Sequence, residues 1–117
     1  INNWQIKIQD TIADNASCGV FLLGDGFNYQ NDYELDKLEV KVSKNGEYLS
    51  SGYGSAVQGH PAEAVAWLAN TLGKYNIPLL KGEIILSGSL VPLEPAIAGD
   101  HFYMELIGIG DCEVYFS

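Results

Sequence analysis

The sequence has no apolar run near the roughly twenty residues that a membrane-spanning helix needs, and no charged-then-apolar leader opens it. It is poor in basic residues, with six Lys plus Arg against fifteen Asp plus Glu and a formal net charge of -9 over 117 residues. Nucleic acid and anionic membrane surfaces would repel such a chain, so its partners are expected to be neutral molecules, cations, or anions held by a local site or a metal. Its two cysteines, Cys18 and Cys112, lie on separate apolar segments without a C-x-x-C. A zinc knuckle or redox pair therefore has little support, and buried free thiols in a reducing cytosol are expected. Neither a P-loop nor G-x-G-x-x-G opens a helix, so the glycines read as turn glycines. The two histidines, His60 and His101, are far apart and each sits beside a structural signal, which argues against a Ser-His-Asp arrangement. A cytoplasmic protein is the expectation, with no nucleic acid and no membrane partner.

What is present fits one globular domain over 1–117. At 47% hydrophobic residues it has the composition to bury roughly two-thirds of its unfolded surface. The chain begins at Ile1 without Met, directly in the strand-like alternation Trp4, Ile6, Ile8, as a fragment or the C-terminal part of a longer catalytic domain would. Asp10 to Asn15 reads as a turn or a single helical turn, because Asp and Asn bond their own backbone. Ser17 to Leu23 then reads as a strand, buried from Cys18, and Gly24-Asp25-Gly26 ends it before a polar, aromatic loop over Phe27 to Asp36. Leu38, Val40 and Val42 alternate with polar residues up to Asn45-Gly46, and Tyr48 and Leu49 resume beyond, which predicts a β-hairpin.

One helix is predicted over about 61–75. Pro61 suits its first position, Glu63 its positive end, and Val65, Leu68 and Leu72 form its stripe. Gly73 and Pro78 mark the exit, and the alanines 62, 64, 66 and 69 would let it lie close against a sheet. Three further strands are expected over Glu83–Ser87, Phe102–Ile107 and Cys112–Phe116, with turns at Gly88, Gly99-Asp100 and Gly108–Asp111. Pro92 and Pro95 hold the intervening segment off any ladder. The fold class is therefore α+β and strand-dominated, with a single main helix covering part of a sheet.

Among candidate chemistry, the acidic pairs in "DYELD" (32–36) and "DCE" (111–113) could hold a divalent cation if a strand aimed both carboxylates one way. A solvated acidic surface is the plainer reading in so acidic a chain. His60 could cap helix amides or face a cleft. Asp14, Asn15 and Ser17 stand where a loop feeds an apolar segment, a place where side chains converge on a pocket, although turn chemistry explains them too. Ser87 and Ser89 in "SGS" would present hydroxyls suited to a carboxylate.

The blocks "DTIADNASCGVFLLG", "SSGYGSAVQGHPAEAVAWLANTLGKY" and "LKGEIILSGSLVPLEPAIAGDHFYMELIGIGDCEVYFS" resemble the C-terminal half of the 2-keto-4-pentenoate (2-oxopent-4-enoate) hydratases. These are members of the fumarylacetoacetate hydrolase superfamily, which also holds the similar 4-oxalocrotonate decarboxylases. The resemblance implies the mixed β-roll or sandwich of that family's C-terminal domain and hydration of 2-hydroxypenta-2,4-dienoate to 4-hydroxy-2-oxopentanoate in aromatic meta-cleavage catabolism. It implies Mg²⁺ or Mn²⁺ as cofactor, a small 2-oxo or 2-hydroxydienoic acid as partner, and a homo-oligomer. Carried over residue by residue, it gives Asp14 a catalytic place and makes Asn15, Ser17, Ser87 and Ser89 substrate-binding. The family's metal ligands, a Glu-X-Glu pair and a third acid, and its catalytic lysine match nothing here; they are expected upstream of Ile1. The 117 residues alone are therefore expected to be inactive. Alternatives are a 4-oxalocrotonate decarboxylase or a non-catalytic assembly module of the same fold.

Overall fold

A computed structural model of the chain describes residues 6–26, 28 and 33–117. Its regular core is a four-stranded antiparallel sheet in the order β2-β1-β3-β4, formed by β1 (Glu39–Lys44), β2 (Glu47–Tyr53), β3 (His101–Leu106) and β4 (Gly110–Tyr115). The β1–β2 hairpin turns at Asn45 and Gly46, with φ of 55° and 82°, the paired left-handed conformation that Asn-Gly adopts at least cost. One register shift between Val42 and Ser43 makes a bulge in this hairpin.

Alternation sorts the strands into two faces. Val40 pairs with Leu106, Val42 with Met104, Met104 with Cys112 and Phe102 with Val114, so the apolar side chains share one face. Lys41, Tyr103, Glu105, Asp111 and Glu113 share the other. Across the apolar face runs the segment between helix and β3, which closes over a cavity of about 360 Å³ lined by Val42, Val91, Leu93, Phe102 and Phe116 among others. The crossing is close at Gly52, where a Cβ would stand 1.9 Å from the Leu90 carbonyl oxygen.

Two helices precede and follow the hairpin. The short α1 (Ile8–Ala13) has its first turn closed by Asp10, whose carboxylate accepts from the Lys7 amide at 3.0 Å. The long α2 (Pro61–Gly73) is capped by His60, whose Nδ1 accepts from the Ala62 amide at 3.1 Å, and Pro61 follows where its missing N–H costs nothing. At the far end the left-handed residue is Asn76 (φ 58°), not Gly73, and the Ile77 amide reaches back to the Leu72 carbonyl at 3.1 Å as in a Schellman closure.

Several expectations from the sequence are corrected. Ile8 belongs to a helix, which begins earlier than a turn at Asp10 would; Trp4 lies outside the described residues, as do 27 and 29–32 of the expected loop. Ser17–Leu23 is not a strand: Ser17 ends a 3-10 turn (Asn15–Ser17), and Val20, Phe21, Leu22 and Leu23 run on without a ladder partner, Val20 92% exposed. Glu83–Ser87 is likewise extended but unpaired. The apolar patterning of both segments is strand-like, but a strand exists only when a neighbour takes its amides and carbonyls, and among the described residues neither finds one. The alanine-lined side of α2 looks onto Ile85 and Ser87 across a cavity of about 740 Å³ rather than onto the four strands.

The consequence is a thin core. Val40 and Val57 are the buried apolar residues among those described, and the chain exposes 9221 Å² where a compact monomer of its 12.7 kDa exposes about 6,200 Å². The radius of gyration is 15.8 Å, against about 13.4 Å for a compact chain of this length. Burial of two-thirds of the unfolded surface does not hold for this chain. Both cysteines are free thiols and only half-buried. No helix among the described residues is long and apolar enough to cross a membrane.

Candidate functional site

The loop between α1 and the exposed apolar segment has an unusual backbone. Asn15, Ala16 and Ser17 take φ of 47°, 56° and 59° in succession. Asn tolerates that region, but for a residue with an ordinary side chain it costs roughly 1–2 kcal/mol. Two hydrogen bonds hold the turn, Ser17 amide to Asp14 carbonyl at 2.7 Å and Cys18 amide to Asn15 carbonyl at 3.2 Å. Strain of this kind persists where surroundings over-determine it, and such places cluster at binding sites. Within the turn, the Ser17 hydroxyl oxygen is buried and has no hydrogen-bond partner among the described residues. A buried hydroxyl left unbonded costs about 1–3 kcal/mol, so the position suits a group that arrives later.

Asn15 opens onto a cavity of about 450 Å³ whose other walls include Phe21, Leu68 of α2, Ile84 and Leu86. Glu83 also lines it, with its carboxylate engaged, accepting from the Leu80 amide at 2.7 Å. Sequence reasoning missed Glu83; the Lys81-Gly82-Glu83 turn, with Gly82 at φ 94°, was the signal that a carboxylate would fold back here.

The other sequence-derived candidates are placed as follows. Asp14 is exposed at the C-cap of α1, and its backbone rather than its side chain makes the cap bond. Ser87 lines the cavity under α2, which shares Ile85 with the Asn15 cavity. Ser89 lines the cavity on the sheet's apolar face, and its hydroxyl donates to the Val91 carbonyl. The two serines part company because Gly88 between them, at φ 125°, turns the chain; a Cβ there would also touch both Val57 methyls at 3.7 Å. Asn15 and Ser17 are thus brought together, Ser87 is their neighbour through Ile85, and Ser89 faces a different cavity.

The acidic pairs make no cation site among the described residues. Among the described residues no three His, Cys, Asp or Glu side chains converge to hold a metal. Asp111 accepts from the Tyr103 hydroxyl at 2.8 Å, and this hydrogen bond to the protonated phenol, followed by burial and by the Asp111 charge, raises the phenol's pKa. Glu113 meets His101 Nε2 at 2.9 Å, and the imidazole stacks on Tyr115 with ring centroids 4.1 Å apart. Glu34 pairs with Lys37; Asp32 lies outside the described residues.

Sheet order, the strap across its apolar face and the polar turn beside α2 define a class: over residues 2–116 the chain matches the fumarylacetoacetate (FAA) hydrolase C-terminal family, and it belongs to that family. Among particular relatives, it is 59% identical over its whole length to a 2-hydroxyhexa-2,4-dienoate hydratase of Comamonas testosteroni, and 40% identical, again over its whole length, to a 2-keto-4-pentenoate hydratase of Paraburkholderia xenovorans. It spans 44% of the length of each. A solved structure of 4-oxalocrotonate decarboxylase from Pseudomonas putida G7, complexed with magnesium and adipate, superposes with a TM-score of 0.90 at 33% identity, covering 99% of this chain and 44% of that one. The α+β fold expected from the sequence, with one main helix, is the fold found.

Proposed function

We propose that this chain is the C-terminal part of a longer catalytic domain that hydrates 2-hydroxy-2,4-dienoates to 4-hydroxy-2-oxo acids. The observation that carries the reading is the buried Ser17 hydroxyl, unpartnered among the described residues, in a strained turn that also carries Asn15 on the wall of a cavity. The similarity of hydratases along the whole chain supports the reaction type. The higher identity goes with the relative named for a hexadienoate, which favours an alkyl-substituted acid over the unsubstituted pentadienoate.

In this reaction the 2-hydroxyl gives up its proton and C5 takes one, leaving a 2-oxo-3-enoate; water then gives its hydroxyl to C4 and C3 takes a proton. Negative charge gathers on the 2-oxygen in the dienolate before C5 is protonated and again in the enolate before C3 is, beside a carboxylate that is anionic throughout. The Ser17 hydroxyl and the Asn15 amide are donors of the right kind for those oxygens, and holding them on a rigid turn lets them act without reorganising. Asp14, exposed one residue before Asn15, is in this proposal the group that carries a proton to or from bulk water. Ser87 supports the same wall through Ile85, and Ser89 would contribute only if its bond to Val91 is exchanged.

A divalent cation, Mg²⁺ or Mn²⁺ by resemblance and magnesium in the solved decarboxylase, would polarise the 2-oxygen. The donor groups of this chain do not fit one, since no set of three converges among the described residues. Its ligands would come from outside these residues. Cytoplasmic location and a homo-oligomeric state belong to the same proposal, as does a small 2-hydroxydienoic or 2-oxo acid as the partner.

Ser17→Ala in the full-length protein tests the assignment. Loss of a hydrogen bond to a charged ligand is worth about 1.5–3 kcal/mol, so kcat/KM should fall about 10- to 150-fold with little change in thermal midpoint. Unchanged turnover with a lower midpoint would return Ser17 to a structural role. Because the decarboxylase shares the fold so closely, the same protein should be offered 4-oxalocrotonate; faster loss of CO₂ than hydration of a dienoate would move the assignment to that reaction.

A further inference from the structure

The cavity next to Asn15 is mixed in character. Asn15 and Glu83 are its polar residues, and Phe21, Leu68, Ile84 and Leu86 are among the apolar side chains that make up most of the wall. Three of these apolar side chains are more than half uncovered by the described residues, with Phe21 54%, Ile84 53% and Leu86 59% exposed. Its volume of about 450 Å³ falls within the range of small-molecule sites. Beneath α2 the adjoining cavity is different in kind, since Ser87 is its single polar side chain. Resting on the hydratase reading above, we infer that this cavity receives the hydrocarbon end of the dienoate, and that Phe21, Leu68, Ile84 and Leu86 set the length of alkyl chain the enzyme accepts.

The direction of binding follows from charge and solvation. The head of the substrate carries a carboxylate and an oxygen that becomes anionic, and it needs donors, which Asn15 supplies in the cavity wall and Ser17 in the adjoining turn. The Glu83 carboxylate, also in the wall, repels an anionic head but not a methyl group. The tail therefore packs on the apolar side chains, and each added carbon removes apolar surface of both ligand and wall from water. Such a pocket discriminates a single methyl or methylene by about tenfold or somewhat more, which is the scale expected of a hydrophobic contact.

The test is a steady-state comparison of 2-hydroxyhexa-2,4-dienoate with 2-hydroxypenta-2,4-dienoate in the full-length protein and two variants. Wild type should show the higher kcat/KM for the six-carbon acid. Leu68→Phe, which fills the cavity from α2, should lower the six-to-five-carbon ratio at least about tenfold. Phe21→Leu, which enlarges it, should raise the ratio for a seven-carbon homologue over the six-carbon acid. If wild type hydrates both acids equally well, or if folded variants lose both in parallel with the ratio unchanged, the pocket does not read chain length and the inference is overturned. A wild-type protein that hydrates neither acid removes the hydratase reading and this inference with it.

Discussion

At the scale of single residues, Asp100 shows most plainly how a polar group can hold an otherwise thin structure. It is the buried charged residue among those described, 6% exposed, and it joins three parts of the chain. Its carboxylate accepts from the Asn45 side chain at 2.9 Å and from the Ile97 amide at 2.9 Å, and it meets the Lys44 ammonium at 3.0 Å. Lys44 lies over the Phe102 ring, 5.2 Å from its centroid, and also donates to the Pro95 carbonyl. Bonds from Asn45, from the Ile97 amide and from Lys44 stabilise the ionised form and lower the carboxyl pKa from 3.8 to about 2. A depressed carboxyl pKa contributes stability above the unfolded value, and that contribution is lost as pH falls through the folded one. The thermal midpoint should therefore decline between about pH 4 and pH 2, and Asp100→Asn should lower it by several degrees at pH 7 while flattening that acid limb. A variant that melts like wild type from pH 2 to 7 would remove Asp100 from this role. The sequence marked Gly99-Asp100 only as a turn, because the partners of Asp100, more than fifty positions away at Lys44 and Asn45, appear only in the fold.

Among the elements, the hairpin and α2 were legible because their signals are local. Asn45-Gly46 specifies the turn whatever surrounds it, and His60-Pro61 begins a helix by satisfying or removing its first donors. His60→Ala should accordingly cost about 1 kcal/mol of stability in denaturant titration, the usual worth of an N-cap side chain. Gly52 is different, since nothing near it in sequence demands glycine. The strap that passes over β2 brings the Leu90 carbonyl to 1.9 Å from where a Cβ would be. Gly52→Ala should destabilise by about 1–3 kcal/mol through overpacking, measured by the same titration; a neutral result would mean that the strap can lift. The two misread strands, Ser17–Leu23 and Glu83–Ser87, have the apolar composition of buried strands but no partner among the described residues. Composition reports what a segment would bury, and pairing decides what it becomes.

For the whole molecule, the imbalance between apolar content and burial dominates. Leu22, Leu23, Trp67, Leu93 and Ile97 are all more than half exposed, and the total exposed area of 9221 Å² exceeds the compact value by about half. Surfaces of that extent associate or are covered. Produced alone, these 117 residues should bind a hydrophobic dye such as ANS strongly and elute as aggregates in size-exclusion chromatography, whereas the full-length protein should do neither. A monodisperse, dye-silent 117-residue chain would show that the exposed face needs no cover.

By itself the sequence determined the α+β class, the Asn-Gly hairpin, the capped helix from Pro61 and the resemblance to keto acid hydratases, since each rests on neighbouring residues or on ordered blocks of them. Only the tertiary structure decided that Ser17 would be buried without a partner among the described residues, that Ser87 and Ser89 would face different cavities across Gly88, and that Asp100 would bind Lys44 and Asn45. Those outcomes depend on which distant backbone approaches which side chain, and a hydrogen bond between positions far apart in the chain leaves no trace in the residues on either side of each.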